Sequence, residues 1–340
     1  MNANARIVGS IALLLAASAA SAAEVDLAAR IAGRDGWIAW QVPSVASLGS
    51  ACCHEWRGHG ASTADCDLEG HSWSIGNDDD DHRHAGDSDN MNIYVHVAAG
   101  QIDKARAFSS TCKVRDADKV HWIDPVASGD SIAFLSRSAA AATQELADVE
   151  LAAIAMHADA AATPALTQLA DAKHARKLRE QALFWLAQAR GTDGAKVVER
   201  IATSDSDAEL RADAVFDLSQ AHGYDGYASI HRIAQADAAE HVREQALFWM
   251  AQTGDRRARD DILAAIVTEK SDSVREQAVF ALSQLKDDQA DAALIALVRG
   301  DHPRKVKEEA LFWLGQSGSD AALDFIDEVL TGSDGKPSRR

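Results

Sequence analysis

The chain has 340 residues, which is more than one typical domain, and its 52 acidic residues outnumber its 34 basic ones to give a formal net charge of −18. Two structural units are therefore expected, and the chain is long enough for each to bury its own core. An acidic surface repels nucleic acid and anionic lipid, so we expect neither as a partner. Basic partners remain possible, and the charge also serves solubility.

The first 22 residues have the pattern of a secretory signal peptide. One basic residue, Arg6, precedes a mostly apolar run over 7–17, and Ala20-Ser21-Ala22 fits a cleavage site of small residues. The alternative is an uncleaved anchor, but the run is short for a bilayer span. We expect a periplasmic or secreted protein, with no membrane insertion after cleavage.

Residues 24–137 are predicted to form a small β-rich domain, because they are rich in Gly, Ser and Asp and alternate over short stretches. Two of the strands should form a hairpin around residues 99–101. The strand candidates are 37–42, 92–98, 102–109 and 119–123, and 131–136 fits either a strand or a short helix.

All four cysteines lie in this domain, at Cys52, Cys53, Cys66 and Cys112. An even number in an exported chain favours disulfides. A bridge between the two adjacent cysteines would be strained, which leaves two pairings, and neighbouring strand residues point to opposite faces. We favour Cys53 with Cys66 and Cys52 with Cys112. The alternative is metal binding by Cys52, Cys53 and His54, although the CxxC spacing is missing.

Residues 78–84 join four aspartates to two histidines and an arginine. Carboxylates beside imidazoles could hold a divalent cation, and a solvated loop is the simpler interpretation. We find no catalytic constellation in this half of the chain, and we expect no cofactor.

A ten-residue phrase at 179–188 returns at a fixed interval of 32 residues. A strict period of this length is typical of a stacked solenoid. Each unit should contain one helix that carries the phrase, a short turn such as 253–255, and a second helix such as 258–267. The five copies start at Arg179, Arg211, Arg243, Arg275 and Lys307.

The pairs Val242-Arg243, Val274-Arg275 and Val306-Lys307, with an Ala-Leu or Ala-Val pair inside the same helix, resemble HEAT repeats of the short type named after phycobilisome lyases. The resemblance covers 173–332 and implies an α-α solenoid over 138–332, in an exported bacterial protein. An atypical pair near 144–157 and 164–172 should cap it, and 333–340 should form a disordered tail. The expected fold class is mainly α, with the small disulfide-containing domain in front.

The family that these repeats resemble includes bilin lyases, and deoxyhypusine hydroxylases that bind iron through His-Glu pairs on their repeats. None of the six histidines in the helical half of this chain is followed by Glu. We therefore expect a non-enzymatic scaffold that binds a protein or peptide as a monomer. The alternatives are a ligand-binding or metal-binding N-terminal module carried on the solenoid, and a lyase-like or hydroxylase-like enzyme.

A helical wheel divides the repeated phrase into two faces. Val242, Ala246, Leu247 and Met250 fall on the side that should face the core, and Phe248 falls on the opposite side. The tryptophans of the phrase, Trp185, Trp249 and Trp313, share the buried side and are expected to pack in the core. We predict an exposed aromatic ladder that binds the partner, and the alternative is that each Phe packs against the next repeat. The ladder consists of Phe184, Phe216, Phe248, Phe280 and Phe312, bordered by Glu180, Glu244, Glu276 and Glu308.

Overall fold

A computed structural model describes residues 26–45, 52–56, 61–63, 65–70, 90–221, 223–285 and 289–331. The predicted signal peptide, the 78–84 segment and the tail at 333–340 lie outside these residues. No helix in the described ranges is both long and apolar enough to cross a membrane.

A four-stranded sheet forms the N-terminal part, in the order β5 (Gln101–Ser109), β4 (Asn90–Ala98), β1 (Gly36–Pro43) and β6 (His121–Trp122). β1 pairs antiparallel with β4 and parallel with β6, and β4 pairs antiparallel with β5. The β4–β5 turn places Ala99 and Gly100 at positive φ, which suits a tight hairpin and matches the predicted turn. The strands β2 His54–Trp56 and β3 Ala61–Thr63 form a separate antiparallel pair.

Two disulfides join Cys52 to Cys112 and Cys53 to Cys66. This is the pairing that the sequence favoured, and it leaves neither Cys52 nor Cys53 free to act as a metal ligand. Cys53 and Cys66 pack with Tyr94 and Phe108 in a small cluster apart from the main core. The Cys52–Cys112 disulfide therefore attaches the segment that precedes β4 to the segment that follows β5, and the Cys53–Cys66 disulfide joins two residues that both precede β4.

In the described residues, fourteen α-helices contribute to the main core, and the first of them is short. Within the described residues they are α1 Leu27–Ile31, α2 Ser128–Ala139, α3 Gln144–Met156, α4 Ala162–Leu169, α5 Arg176–Ala189, α6 Gly191–Ser204, α7 Ala208–Ser219, α8 Tyr227–Ala236, α9 Glu240–Gln252, α10 Ala258–Thr268, α11 Asp272–Ser283, α12 Gln289–Arg299, α13 Arg304–Ser317 and α14 Asp320–Thr331.

The helices from α5 onward form two layers, because each repeat contributes one helix to each layer. The inner layer is α5, α7, α9, α11 and α13, and it carries the repeated phrase; the outer layer is α6, α8, α10, α12 and α14. Successive inner helices pack closely, whereas successive outer helices touch at few positions, so the array curves with the inner layer on its concave side. The wheel placed Val242, Ala246, Leu247 and Met250 correctly in the core.

α3 and α4 form the atypical first pair, with α3 against α5 and α4 against α6. The boundary expected between 137 and 138 falls inside α2, which packs on α3 and on β1. The helical part therefore begins at Ser128, and the 131–136 segment is helix.

A buried polar chain joins the sheet to the helices. The Trp40 indole N–H donates to the Ser131 hydroxyl over 2.8 Å, and that hydroxyl lies 2.9 Å from Nε2 of His157. Nδ1 of His157 lies 2.7 Å from the carbonyl oxygen of Ala153, so a neutral ring with its proton on Nδ1 satisfies every partner. Burial lowers the pKa of His157 to about 4, which keeps the ring neutral. The chain fixes β1 against α2 and α3.

Three of the arginines that open the repeated phrase, at positions 179, 211 and 243, each bind a carboxylate at the end of the outer helix of the same repeat. Arg211 binds Asp237 through two hydrogen bonds of 2.8 and 2.7 Å, and Arg243 binds Glu269 in the same way. Each carboxylate lies 26 residues further along, at the end of an outer helix, and Arg179 with Asp205 follows the same rule. These largely buried pairs fix each inner helix to the turn that follows the outer helix of its repeat.

Candidate functional site

The aromatic ladder lies on the inner layer, one ring on each helix, because each Phe occupies the same position of a 32-residue repeat. Phe184, Phe216, Phe248 and Phe280 are half-buried, and Phe312 in the last repeat is 53% exposed. The exposure of the rings lies between the two interpretations, and the binding of a partner by the ladder stays a prediction. The rings pack against neighbouring repeats and still leave part of their surface open.

Ring contacts make the ladder continuous over four repeats. Phe216 packs on Trp249 with centroids 4.7 Å apart, and Phe248 stacks on Phe280 at 5.9 Å with nearly parallel planes. Phe280 then packs on Trp313 at 4.8 Å. Within a repeat, Trp249 and Trp313 also contact the adjacent Phe. The result is one connected strip of six rings from α7 to α13.

The tryptophans differ from the expectation that they fill the core. Trp185 is 7% exposed, as expected, but Trp249 and Trp313 are only half-buried and belong to the ladder. A wheel drawn for one helix assigns them to its buried side. The neighbouring inner helix covers only part of that side. Each of these two indoles therefore packs on a ring of the preceding repeat and remains partly exposed to solvent.

The glutamates of the border all have partners on the inner layer. Glu180 forms ion pairs with Arg176 and Lys177 at 3.1 and 2.7 Å. Glu244 accepts a 2.6 Å hydrogen bond from Ser273 in the next repeat. Glu276 lies 3.7 Å from Lys305, and Glu308 pairs with Arg304 at 2.6 Å. The cationic partners of Glu180, Glu276 and Glu308 reduce the negative charge of the border.

A carboxylate group that the sequence analysis did not single out lies between α5 and α7. It consists of Glu180, Asp213 and Asp217; Glu180 raises the pKa of both aspartates, and Asp213 raises the pKa of Asp217. Burial raises the pKa of Asp217 well above its usual value, and the charges of Asp213 and Glu180 raise it further. For Asp213, desolvation acts first and Glu180 second. One signal in the sequence could have pointed to this group, because Asp217 occupies a repeat position at which three other repeats carry Trp.

Two observations on the described residues concern metal binding and catalysis. No group of three or more His, Cys, Asp or Glu side chains there is arranged to hold a metal ion. Ser131 and His157 form a serine–histidine pair, but both are fully buried and bonded to Trp40 and Ala153. That pair serves the junction between sheet and helices.

Comparison with known families decides what kind of array this is. Residues 229–315, which run from α8 to α13, match the family model described as HEAT repeats. This part of the chain consists of HEAT repeats. The same 32-residue period carries the repeat backward to Arg179 and forward to Lys307. Phe248, Phe280 and Phe312 fall inside the matched HEAT region, so the ladder is a feature of the repeats themselves.

No curated protein sequence matches the chain. Among solved structures, the human deoxyhypusine hydroxylase in complex with glycerol is similar at 16% sequence identity. The match covers 58% of this chain and 85% of the hydroxylase chain, with a TM-score of 0.30. A likeness at this level adds nothing to the functional interpretation of the HEAT array.

Proposed function

We propose that the protein is an exported scaffold whose HEAT array binds an extended peptide or protein segment along the aromatic ladder. The observation that carries the proposal is the strip of six contacting rings on the concave side, from Phe216 to Phe312. Partly exposed aromatic rings in a row are typical of interaction surfaces, where they bury large apolar areas at low entropic cost.

The construction of the ladder supports a linear ligand. One Phe per repeat presents equivalent positions at regular steps, so an extended chain can meet the same chemistry several times. Polar groups flank the rings on each helix, including Glu244 and Gln252, and could satisfy the backbone of a bound segment. The two disulfides favour an oxidising compartment, which agrees with export.

The proposal is tested by selecting displayed twelve-residue peptides against the oxidised protein, and measuring their affinity for a variant with Phe216, Phe248 and Phe280 replaced by Ser. We expect every selected peptide to lose at least ~tenfold in affinity, because each aromatic anchor of an interface contributes more than about 1.4 kcal/mol. The disulfides and the far-UV spectrum report whether the variant is folded.

A matched control removes exposed apolar side chains from the outer layer instead. Val267 on α10 is 68% exposed and Leu323 on α14 is 54% exposed. The variant with Val267→Ser and Leu323→Ser should keep the affinity of the parent. Peptides that bind the ladder variant as well as the parent, or that depend on the outer layer, would contradict the proposal.

A further inference from the structure

An open cavity of about 490 Å³ lies between the short helix α1 and the edge strand β6, and we call it the edge cavity. Its walls come from the end of α1, the turn after that helix, and the residues at and after β6. None of its lining residues belongs to the aromatic ladder. Its size is within the range that holds a small molecule, roughly 300–1,000 Å³.

Two arginines of the edge cavity have no acidic partner. Arg30 donates from Nη1 to the carbonyl oxygen of Pro125 over 2.6 Å, and Arg34 donates from Nε to the carbonyl oxygen of Arg30 over 2.8 Å. In the part of the chain that the structure describes, no carboxylate oxygen lies within 4.0 Å of a nitrogen of either guanidinium group. Their remaining N–H groups can therefore donate to an oxyanion.

The carboxylate that lines the same cavity, Asp124, does not neutralise these arginines. Its Oδ1 accepts a 3.2 Å hydrogen bond from the backbone N–H of Gln41, which ties the carboxylate to β1. Two guanidinium groups and one carboxylate leave the cavity with a positive charge, in a chain whose formal net charge is −18. The edge cavity is thus a local exception to the acidic composition.

Trp122 gives the edge cavity a flat apolar wall. It is 41% exposed, and it is held in place by the pairing with Ala39 in β1 and by a T-shaped contact with Tyr94 at 5.9 Å. An indole that is both fixed and exposed can stack on a ring of a ligand. Aromatic and arginine side chains are also the types that binding surfaces favour.

We propose that the edge cavity binds a small anion in which a carboxylate or phosphate group is attached to a flat ring. Arg30 and Arg34 hold the oxyanion, because the fork of a guanidinium group matches the oxygens of a carboxylate or phosphate. Trp122 stacks on the ring. This site belongs to the N-terminal part and goes beyond the proposed function, since it needs neither the ladder nor its ligand.

Small probes test the edge cavity directly. Benzoate and phenyl phosphate are titrated into the oxidised ¹⁵N-labelled protein, and the indole resonance of Trp122 is identified from its loss in Trp122→Phe. We expect a saturable shift of this resonance with at least one of the two anions, and the anion that binds more tightly identifies the charged group. Benzamide lacks the charge and acetate lacks the ring, so each should bind at least ~tenfold more weakly.

Arg34→Gln should weaken the binding of the anion about tenfold, since a hydrogen bond between charged groups is lost. The amide resonances of β1 and β4 report whether this variant is folded. Arg256→Gln is the matched control, because it removes the same charge from an exposed position just before α10, and it should leave the titration unchanged.

Three results would overturn the inference: no saturable shift with either anion, equal affinity in the Arg34→Gln variant, or equal affinity for benzamide or acetate. The variant with Ser at positions 216, 248 and 280 retains every lining residue of the edge cavity. It should bind the anion as the parent does, so this inference and the ladder proposal fail independently.

Discussion

Replacing Glu150 with Gln should make the protein more stable at alkaline pH while leaving its stability at acid pH almost unchanged. Glu150 lies on α3, is fully buried, and has two carboxyl oxygens without hydrogen-bond partners in the described structure. Burial raises its pKa from 4.5 to about 8, and the nearby Ser138 hydroxyl offsets only part of that rise. The folded protein thus holds a proton that the unfolded chain releases.

The sign and size follow from the two pKa values. Below pH 4.5 both states are protonated and the full stability is present; as pH rises toward 8, the unfolded chain alone loses the proton, so stability falls. At about 1.4 kcal/mol per pH unit between the pKa values, the loss between pH 5 and pH 8.5 is on the order of 4 kcal/mol. Gln has nearly the same shape and does not titrate, so Glu150→Gln should be free of this loss.

The assay is urea unfolding of the oxidised parent and of Glu150→Gln at half-unit intervals from pH 5 to pH 8.5. The difference in unfolding free energy between the two proteins isolates the contribution of residue 150, because all other titrating groups are shared. A difference that stays constant across this range would refute the reasoning, since it would mean that Glu150 is charged and solvated in the folded protein.

Three further predictions address the junction, the ladder and the repeat contacts. Burial lowers the pKa of His157 to about 4, so its contribution to stability is complete above pH 6.5 and decreases as the pH is lowered. In urea unfolding, the parent should therefore lose about 2 kcal/mol of unfolding free energy between pH 7 and pH 5, relative to His157→Gln. By the same method, Phe325→Ala should lower the free energy of unfolding by about 3 kcal/mol, because Phe325 is 5% exposed. Phe312→Ala should lower it by less than about 1 kcal/mol, because Phe312 is 53% exposed. Equal losses would place the ladder in the core. Asp237→Ala should cost about 3 kcal/mol because it leaves a nearly buried arginine unpaired, while the exposed Glu328→Ala should cost less than about 1 kcal/mol in thermal or urea unfolding.

Periodicity made the helical half predictable from the sequence. A 32-residue repeat fixes the number of helices per unit, and the spacing of Val242, Ala246 and Met250 fixes the face that each inner helix buries. The disulfide pairing was predictable only down to two alternatives, because a bridge between the adjacent residues Cys52 and Cys53 would be strained and a strand turns them to opposite sides; the favoured alternative is the one that the structure shows.

The parts that were not predictable depend on contacts between helices. A wheel shows one helix alone, so it could not reveal that Trp249 and Trp313 join the ladder by packing on rings 33 residues earlier. It also could not reveal the carboxylate group around Asp217, because Glu180 belongs to another helix. The start of the helical part was misplaced because residues 131–136 fit a strand as well as a helix; in the structure they belong to α2, which packs on the sheet and on α3.

Where a bound segment lies is measured most directly by photo-crosslinking. A ladder-dependent peptide carrying benzoylphenylalanine is irradiated with the parent protein, and the adducts are located by mass spectrometry. We predict adducts on the inner helices α7, α9, α11 and α13, beside Phe216, Phe248, Phe280 and Phe312. Adducts confined to the outer helices or to the β4–β5 hairpin would contradict binding along the ladder.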